Sequence, residues 1–306
     1  MVKTVDQLVN EYSGENILAT YKLKFTGVNG YDVYNPTSPF LDNGKKVLAG
    51  RVEKRDTEKS KVMFFEQINE DTWKLIDNLP TFELQDPYFT LIGGKLVLGG
   101  TQVFDHPDIP DALWWRAEKL VGNDIDGLEH LVYGPNGMKD IRICEVNNKI
   151  LVLTRPQGEK GGRGRIGYYF ADNLADITVE KIEEAPLLDL CISEEWVGSN
   201  QAMVLKNGKV GVLGHIAKFD ENGGRHYYPT TFCFDPETAE YTDTKIICMR
   251  EYLDEGESKR PDLYDVMFSG GIVRNEDGTA ELYTGVGDCE VHCVKIQDPF
   301  LEYEGK

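Results

Sequence analysis

Basic charge is what this 306-residue chain has least of: 33 Lys and Arg stand against 52 Asp and Glu, a formal −19 at pH 7. A surface of that sign repels nucleic acid and anionic membranes, although it does not bar a small anion held by local cations. Long apolar runs are missing as well, with nothing near the ~18–20 residues that span a bilayer. Met1-Val2-Lys3-Thr4-Val5-Asp6 has no apolar core of a secretory signal. Cys-x-x-Cys pairs are absent: Cys144, Cys191, Cys233, Cys248, Cys289 and Cys293 stand apart, several in apolar stretches such as Thr231-Phe232-Cys233-Phe234. They read as reduced thiols packed as small hydrophobes in a cytoplasmic setting, rather than as a disulfide framework.

Familiar motifs fail in the same way. No P-loop, G-x-S-x-G elbow or H-E-x-x-H occurs, and His106, His130, His215, His226 and His292 do not pair at metal-ligand spacing. Gly162-Arg163-Gly164-Arg165-Ile166-Gly167 fits G-x-G-x-x-G, but it follows a charged loop and leads into the strand-like Tyr168-Tyr169-Phe170. A dinucleotide site needs a strand before and a helix after, so this is a chance match inside an exposed hairpin tip, Gly158–Arg165. No metal or organic cofactor is expected.

Helical periodicity is scarce. Residues 2–11 predict a short helix with Val2, Val5, Leu8 and Val9 on one face, and residues 108–130, around Ala112-Leu113-Trp114-Trp115, suggest another. The rest reads as short strands punctuated by Gly, Asn and Asp. One element recurs: a tight turn, then Lys or a substitute, then four or five strand formers. It occurs at Asn43-Gly44-Lys45, Gly93-Gly94-Lys95, Asn147-Asn148-Lys149, Asn207-Gly208-Lys209 and, more loosely, Asp277-Gly278-Thr279. Asn and Gly accept the positive φ that such turns need. Five copies spaced 50 to 70 residues apart predict an all-β, five-bladed β-propeller of four-stranded blades over residues 1–306, with a pair of β-sandwiches as the alternative.

Polar clusters flank these hairpins, where the strands of a propeller would bring them to one funnel on the axis. They are Tyr34-Asn35-Pro36, Gly50-Arg51-Val52-Glu53, Gln85-Asp86-Pro87-Tyr88, Lys139-Asp140-Ile141-Arg142 and Thr154-Arg155. The later blades add Ser199-Asn200-Gln201, Gly214-His215, Gly224-Arg225-His226-Tyr227, Tyr264-Asp265 and Tyr283-Thr284-Gly285-Val286-Gly287-Asp288.

Over about residues 30–295 this order resembles the inverting β-mannoside phosphorylases of glycoside hydrolase family 130. It resembles still more the mannosyltransferase/phosphorylase group, glycosyltransferase family 108. Gln85-Asp86-Pro87-Tyr88 stands where the phosphorylases have Glu-Asp-Pro-Arg, and Arg51-Val52 resembles their inner-strand arginine segment. Gly214-His215 is similar to their Tyr-His-Gly turn, and Tyr283 to Asp288 to their Tyr-Tyr-Gly-x-x-Asp strand. Gln85 and Tyr88 are departures from that pattern. The resemblance implies a five-bladed propeller in which Asp86 is the general acid, its proton passing through the sugar's 3-hydroxyl. It implies β-mannosides, β-1,2-linked, as substrates, with phosphate or mannose 1-phosphate as the other partner and GDP-mannose as a further donor to consider.

An inverting glycosidase needs an acid and a base, whereas a phosphorylase needs only the acid, because phosphate is already an anionic nucleophile. Cations replace the base by binding and aiming the phosphate. Arg51, Lys139, Arg142, Arg155, His215 and Arg225 are the candidate cations, and Tyr227 is a further candidate phosphate contact. Asn35, Arg51, Gln85, Tyr88, Asp140, Asn200, Asp265 and Asp288 are the candidates for sugar contacts or for orienting the cations. To act as an acid, Asp86 is expected to have its pKa raised by burial or by other carboxylates. An Asp before Pro also commonly ends a strand, Arg51 and Arg142 also suit a surface, and His215 also suits a satisfied core. Trp114 and Trp115 suit a sugar platform or a plug between blades. The rival readings are a β-mannoside hydrolase, with Glu53 or Asp265 as its base, and a non-catalytic carbohydrate-binding propeller.

Overall fold

The computed structural model describes residues 2–305. Its strands form five sheets in chain order around one axis, the blades of a β-propeller. Blade one holds Asp32–Tyr34 and Phe40–Asp42 as a broken inner strand, then Lys45–Glu53, Ser60–Gln67 and Thr72–Leu75. Blade two runs Gln85–Ile92, Lys95–Asp105, Leu113–Gly122 and Glu129–Asn136, and blade three Arg142–Val146, Lys149–Thr154 and Gly167–Ala171. Blade four is Trp196–Val204, Val210–Phe219, Arg225–Phe234 and Lys245–Ile246; blade five is Met267–Arg274, Thr279–Val286 and Glu290–Gln297. The repeated turns fall where they were predicted: each joins the first strand of a blade to its second.

Blade five takes its fourth strand from the N-terminal segment Ile17–Lys22, which pairs antiparallel with Glu290–Gln297 and closes the ring. Lys24–Thr26 then adds a parallel outer strand to blade one. Blade three departs from the expected four strands. After Ala171 the chain enters an Asn173-capped turn and then the Thr178-capped helix Val179–Glu184. Ile177 and Ile182 of this segment fill the junction between blades two and three.

The early helix runs from Val5 to Glu11 and begins later than residue 2, because Thr4 caps it. The Thr4 hydroxyl accepts from the Gln7 amide, and the Gln7 side chain accepts from the Thr4 amide, satisfying two otherwise orphaned donors. Its apolar face buries Val5 and Leu8 between blades three and four. The helix expected within residues 108–130 is instead the strand Leu113–Gly122 and the start of the next. A continuous ladder from Leu113↔Asp105 to Gly122↔Leu96 wins there over weak helical periodicity, and the Trp-Trp pair suits a pleated surface.

Five apolar clusters fill the five junctions between successive blades, such as Val47, Phe64, Leu84 and Leu98 between blades one and two. Core packing therefore stays between the sheets and leaves the axis for polar groups. All six cysteines are buried and free, as their apolar settings predicted. Among the described residues, no helix is long and apolar enough to cross a membrane.

Candidate functional site

In four blades the inner strand is interrupted, and in blade three it begins only at Arg142, just after Asp140. The register slips between Gln85 and Tyr88, between Ser199 and Gln201, and between Ser269 and Gly271. The residues at these five positions are Asn35, Asp86, Asp140, Asn200 and Gly270. Asn35, Asp86 and Asp140 have φ of 44°, 51° and 55°, a left-handed conformation that Asn and Asp tolerate better than most residues. Gly270 is required by close approach, since a Cβ there would meet the Pro36 carbonyl oxygen at 1.6 Å. Four of these positions carry short polar side chains, Asn35, Asp86, Asp140 and Asn200, and all four are buried.

At the junction of blades one, two and five, Arg51 Nη1 lies 3.2 Å from Asp86 Oδ1, and Asn35 Nδ2 donates to the same oxygen at 2.7 Å. Arg51 also grips Glu53 Oε2, at 2.7 Å from Nη2 and 3.2 Å from Nε. Tyr34 donates to Glu53 Oε1 at 2.8 Å, and Lys259 reaches the same oxygen from the loop before blade five. Arg51, Glu53 and Asp86 are all buried. Burial pushes the Asp86 carboxyl up, but Arg51, Lys139 and the Asn35 amide together hold it below the ordinary carboxylate range. This corrects the expectation of a raised pKa: the cations opposing burial come from blades one and three. The raised carboxyl is Asp288, pushed up by burial, with Arg51 opposing and Asp86 reinforcing.

At the junction of blades three and four, Asp140 pairs with Arg155 at 3.3 Å and Arg142 at 3.5 Å. Burial raises its pKa, but Arg155, Lys139 and Arg142 outweigh that and hold it at about 2. Arg142 Nε donates to the Asn200 carbonyl at 3.0 Å, and its guanidinium lies 4.4 Å from the centre of the Tyr88 ring. Tyr88, expected to contact sugar, is therefore buried as a support for Arg142. His215 Nδ1 lies 2.8 Å from Asn200 Oδ1. Burial, with Arg155, Lys139 and Arg142, lowers the His215 pKa to about 3 although Asp140 opposes them. His215 is thus neutral and corrects its inclusion among the cations.

Of these groups Arg155 also lines an open cavity of about 410 Å³. Lys139, Arg155, Arg163 and Arg225 line it with Gln85, Gln157, Thr101, Val103, Trp115, Trp196, Phe219 and Tyr227, and no carboxylate among the described lining residues. With Asp140 committed to Arg142 and Arg155, Lys139 has no carboxylate partner among the described residues. Arg225 pairs with Asp262, and Arg163 lies 5.1 Å over the Phe219 ring. A second hollow of about 380 Å³ shares Gln85, Thr101 and Val103 and extends the groove toward blade one.

Of the residues predicted from sequence, Gln85, Lys139, Arg155, Arg225 and Tyr227 line the cavity. Asn35, Arg51, Asp86, Tyr88, Asp140, Arg142, Asn200 and His215 lie buried, and Asp288 is largely covered beside Arg51. Asp265 lies apart from the Arg51 and Asp140 clusters: its carboxylate meets His226 Nδ1 at 2.5 Å and the Tyr228 hydroxyl at 3.0 Å. Trp115 stands on the cavity wall, whereas Trp114 stacks on His106 at 4.5 Å. The tip carrying Arg163 forms a short turn whose Arg163 faces the cavity, and the following Gly167–Ala171 is a strand, so the G-x-G-x-x-G match is accidental. Arg163, Trp196, Phe219 and Lys259 were not foreseen. Phe219 and Arg225 bracket the turn Asp220–Gly224, and that position at the end of a hairpin was the available signal.

A family described as a protein of unknown function, DUF1861, matches residues 10–302. No curated protein sequence matches the chain. A mannose phosphorylase from Leishmania mexicana, solved with phosphate ion, is similar at 35% identity and TM-score 0.87, over 94% of this chain and 90% of that one. A GDP-Man-dependent mannosyltransferase from Leishmania mexicana is similar at 31% identity and TM-score 0.87, over 97% and 95%. The β-1,2-mannobiose phosphorylase of Listeria innocua shares the fold, at 14% identity and TM-score 0.68 over 94% and 99%. The chain therefore belongs to the DUF1861 family and to the propeller group of these Leishmania mannose phosphorylases and mannosyltransferases, akin to glycosyltransferase family 108.

Proposed function

We propose that this protein is an inverting glycoside phosphorylase/mannosyltransferase that exchanges β-mannosides, β-1,2-linked, with phosphate and mannose 1-phosphate. The observation that carries this reading is the cavity itself: four cations and no lining carboxylate among the described residues, set in a chain of charge −19. A neutral sugar does not require such a lining, whereas a phosphate group does. Lys139 and Arg155 would hold the phosphate, and Arg163, Arg225 and Tyr227 would form its outer rim. Asp86, behind Gln85 in the cavity wall, would give its proton to the leaving oxygen as the β-mannosidic C–O bond breaks. A phosphate oxygen attacks C1 from the opposite face, which yields the α-linked 1-phosphate. Asn35, Arg51, Asp140, Asn200 and Asp288 would fix the geometry behind the sugar.

The hydrolase alternative lacks a free base. Both oxygens of Glu53 are occupied, one by Tyr34 and Lys259 and the other by Arg51. Asp265 is taken by His226 and Tyr228. The test is phosphorus NMR of mannose 1-phosphate mixed with mannose or short β-mannosides. Release of phosphate with growth of a β-mannosidic signal is expected. No release from any sugar 1-phosphate, with turnover of GDP-mannose instead, would assign the nucleotide sugar as donor. Turnover of neither would leave a carbohydrate-binding propeller.

A further inference from the structure

Two of the four cations that line the cavity are paired with carboxylates, and the two pairs differ in how free the carboxylate is. Asp140, the partner of Arg155, is buried and shared with Arg142, so it is locked into the scaffold. Asp262, the partner of Arg225, sits on the short turn Pro261–Leu263 before blade five, with 33% of its side chain exposed. Its carboxylate is shared as well. Arg260 Nε donates to Oδ1 at 3.1 Å, and Arg260 Nη2 lies 3.5 Å from Oδ2, the oxygen that meets Arg225. Arg260 Nη1 in turn reaches Glu58 at 3.3 Å, which ties it to blade one. The Arg260 hydrogen bond, joined by the charges of Arg260 and Arg225 against burial, holds Asp262 below the ordinary carboxylate range. The Arg225 guanidinium lies 5.6 Å from the centre of the Phe219 ring, which Arg163 also approaches, at 5.1 Å.

We infer that Asp262 is a built-in competitor for the ligand of this cavity: it occupies Arg225 as a stand-in anion and so sets how tightly an incoming phosphate group is held. This rests on the reading that the cavity takes phosphate. A phosphate on Lys139 and Arg155 gains Arg225 only by drawing its guanidinium away from Asp262. Asp262 is not left unpaired by that exchange, because Arg260 stays with it, and one charge-assisted hydrogen bond replaces another. Asp140 offers no such exchange, since taking a partner from it would leave a buried charge uncompensated. Asp262 is therefore a specificity-determining residue at the rim. A neutral sugar leaves the Arg225–Asp262 pair closed, whereas a phosphate, with more charge than a carboxylate, opens it.

The test is calorimetric titration with sulfate at constant ionic strength. Asp262→Asn should bind sulfate about two- to fivefold more tightly than wild type, the worth of a partly exposed ion pair. Asp262→Ala should show the same gain, so that the result does not hang on the packing of one replacement. Arg260→Met leaves Arg225 as the remaining cation on Asp262 and should weaken sulfate binding by a similar factor. Both effects should vanish in an Arg225→Met background, where Lys139 and Arg155 still hold the anion. That background separates competition for Arg225 from general repulsion by a nearby carboxylate. Sulfate bound no more tightly by the Asp262 variants, or a gain that persists without Arg225, would overturn the competition while leaving the anion site intact. Failure of both sulfate and phosphate to bind the wild type would overturn the anion site and the competition together.

Discussion

The two halves of the site treat charge in opposite ways. Around Asp86 the charges are closed on one another: Lys259 to Glu53, Glu53 to Arg51, Arg51 to Asp86, with Tyr34 sharing the Glu53 oxygen that Lys259 meets and Asn35 sharing the Asp86 oxygen that Arg51 meets. Across the cavity, Lys139 and Arg163 have no carboxylate partner among the described residues, and aromatic rings surround the rim. A closed set of buried charges needs no ligand and is preorganised, so it suits proton delivery. An open set of cations is incomplete until an anion arrives, so it suits substrate capture. The lesson is that pairing, more than residue type, tells the two roles apart.

The sharpest way to break the comparison is to neutralise the closed half at its centre. Asp86→Asn should lower turnover roughly 10²–10⁴-fold, the usual worth of a positioned acid. Phosphate release from mannose 1-phosphate reads it, and an undiminished rate would move the acid elsewhere. Opening the same half from its edge should cost stability instead. Lys259→Met leaves Glu53 short of a cation, and breaking a buried pair costs about 3–5 kcal/mol. Urea unfolding measures this, and a loss under 1 kcal/mol would mean that the chain of pairs is not closed as described.

The open half should respond differently. Lys139→Met should raise the KM for phosphate about 10–100-fold, the worth of one charge-assisted hydrogen bond, with little change in folding stability. A large loss of stability with an unchanged KM would place Lys139 in the scaffold.

Two smaller effects sharpen the picture. Lys119 is buried with, among the described residues, only the Ile141 carbonyl, 3.3 Å away, as partner. Burial, helped by Arg142, lowers its pKa to about 7. Because the folded pKa is below the unfolded one, its cost is full below pH 7 and fades as the pH rises toward ~10.4. Lys119→Met should therefore raise Tm by a few degrees at pH 6–7, and the gain should shrink by pH 10. Thermal scans at several pH values check this, and a destabilised variant would contradict it. Smallest is the effect of His215, which is neutral with a pKa of about 3. Sulfate affinity should not fall across pH 5.5–7.5 with the titration of an ordinary histidine, and replacing His215 should leave that profile unchanged.

How much of this was legible in the sequence depends on how local each feature is. The blade hairpins were legible because Asn-Gly and Gly-Gly turns are local signals that recur. Asn35, Asp86, Asp140 and Asn200 could be found because a break in an inner strand favours Asn or Asp, often before Pro. What the clusters do to charge was not legible. The cations that hold Asp86 down are Arg51 and Lys139, in different blades, and no motif records that they meet there. Asp265 shows the converse: a polar motif in the right blade whose side chain turns to His226 and Tyr228. The missing strand of blade three and the strand at Leu113–Gly122 were hidden for a similar reason, since tertiary packing there overrides local pattern.

The division of labour is tested most directly by titrating mannose 1-phosphate calorimetrically into Asp86→Asn and Lys139→Met side by side. The account predicts that the Asp86 variant binds within about threefold of wild type while failing to turn over, and that the Lys139 variant binds at least tenfold more weakly. Loss of binding in the Asp86 variant, with the Lys139 variant unaffected, would contradict it.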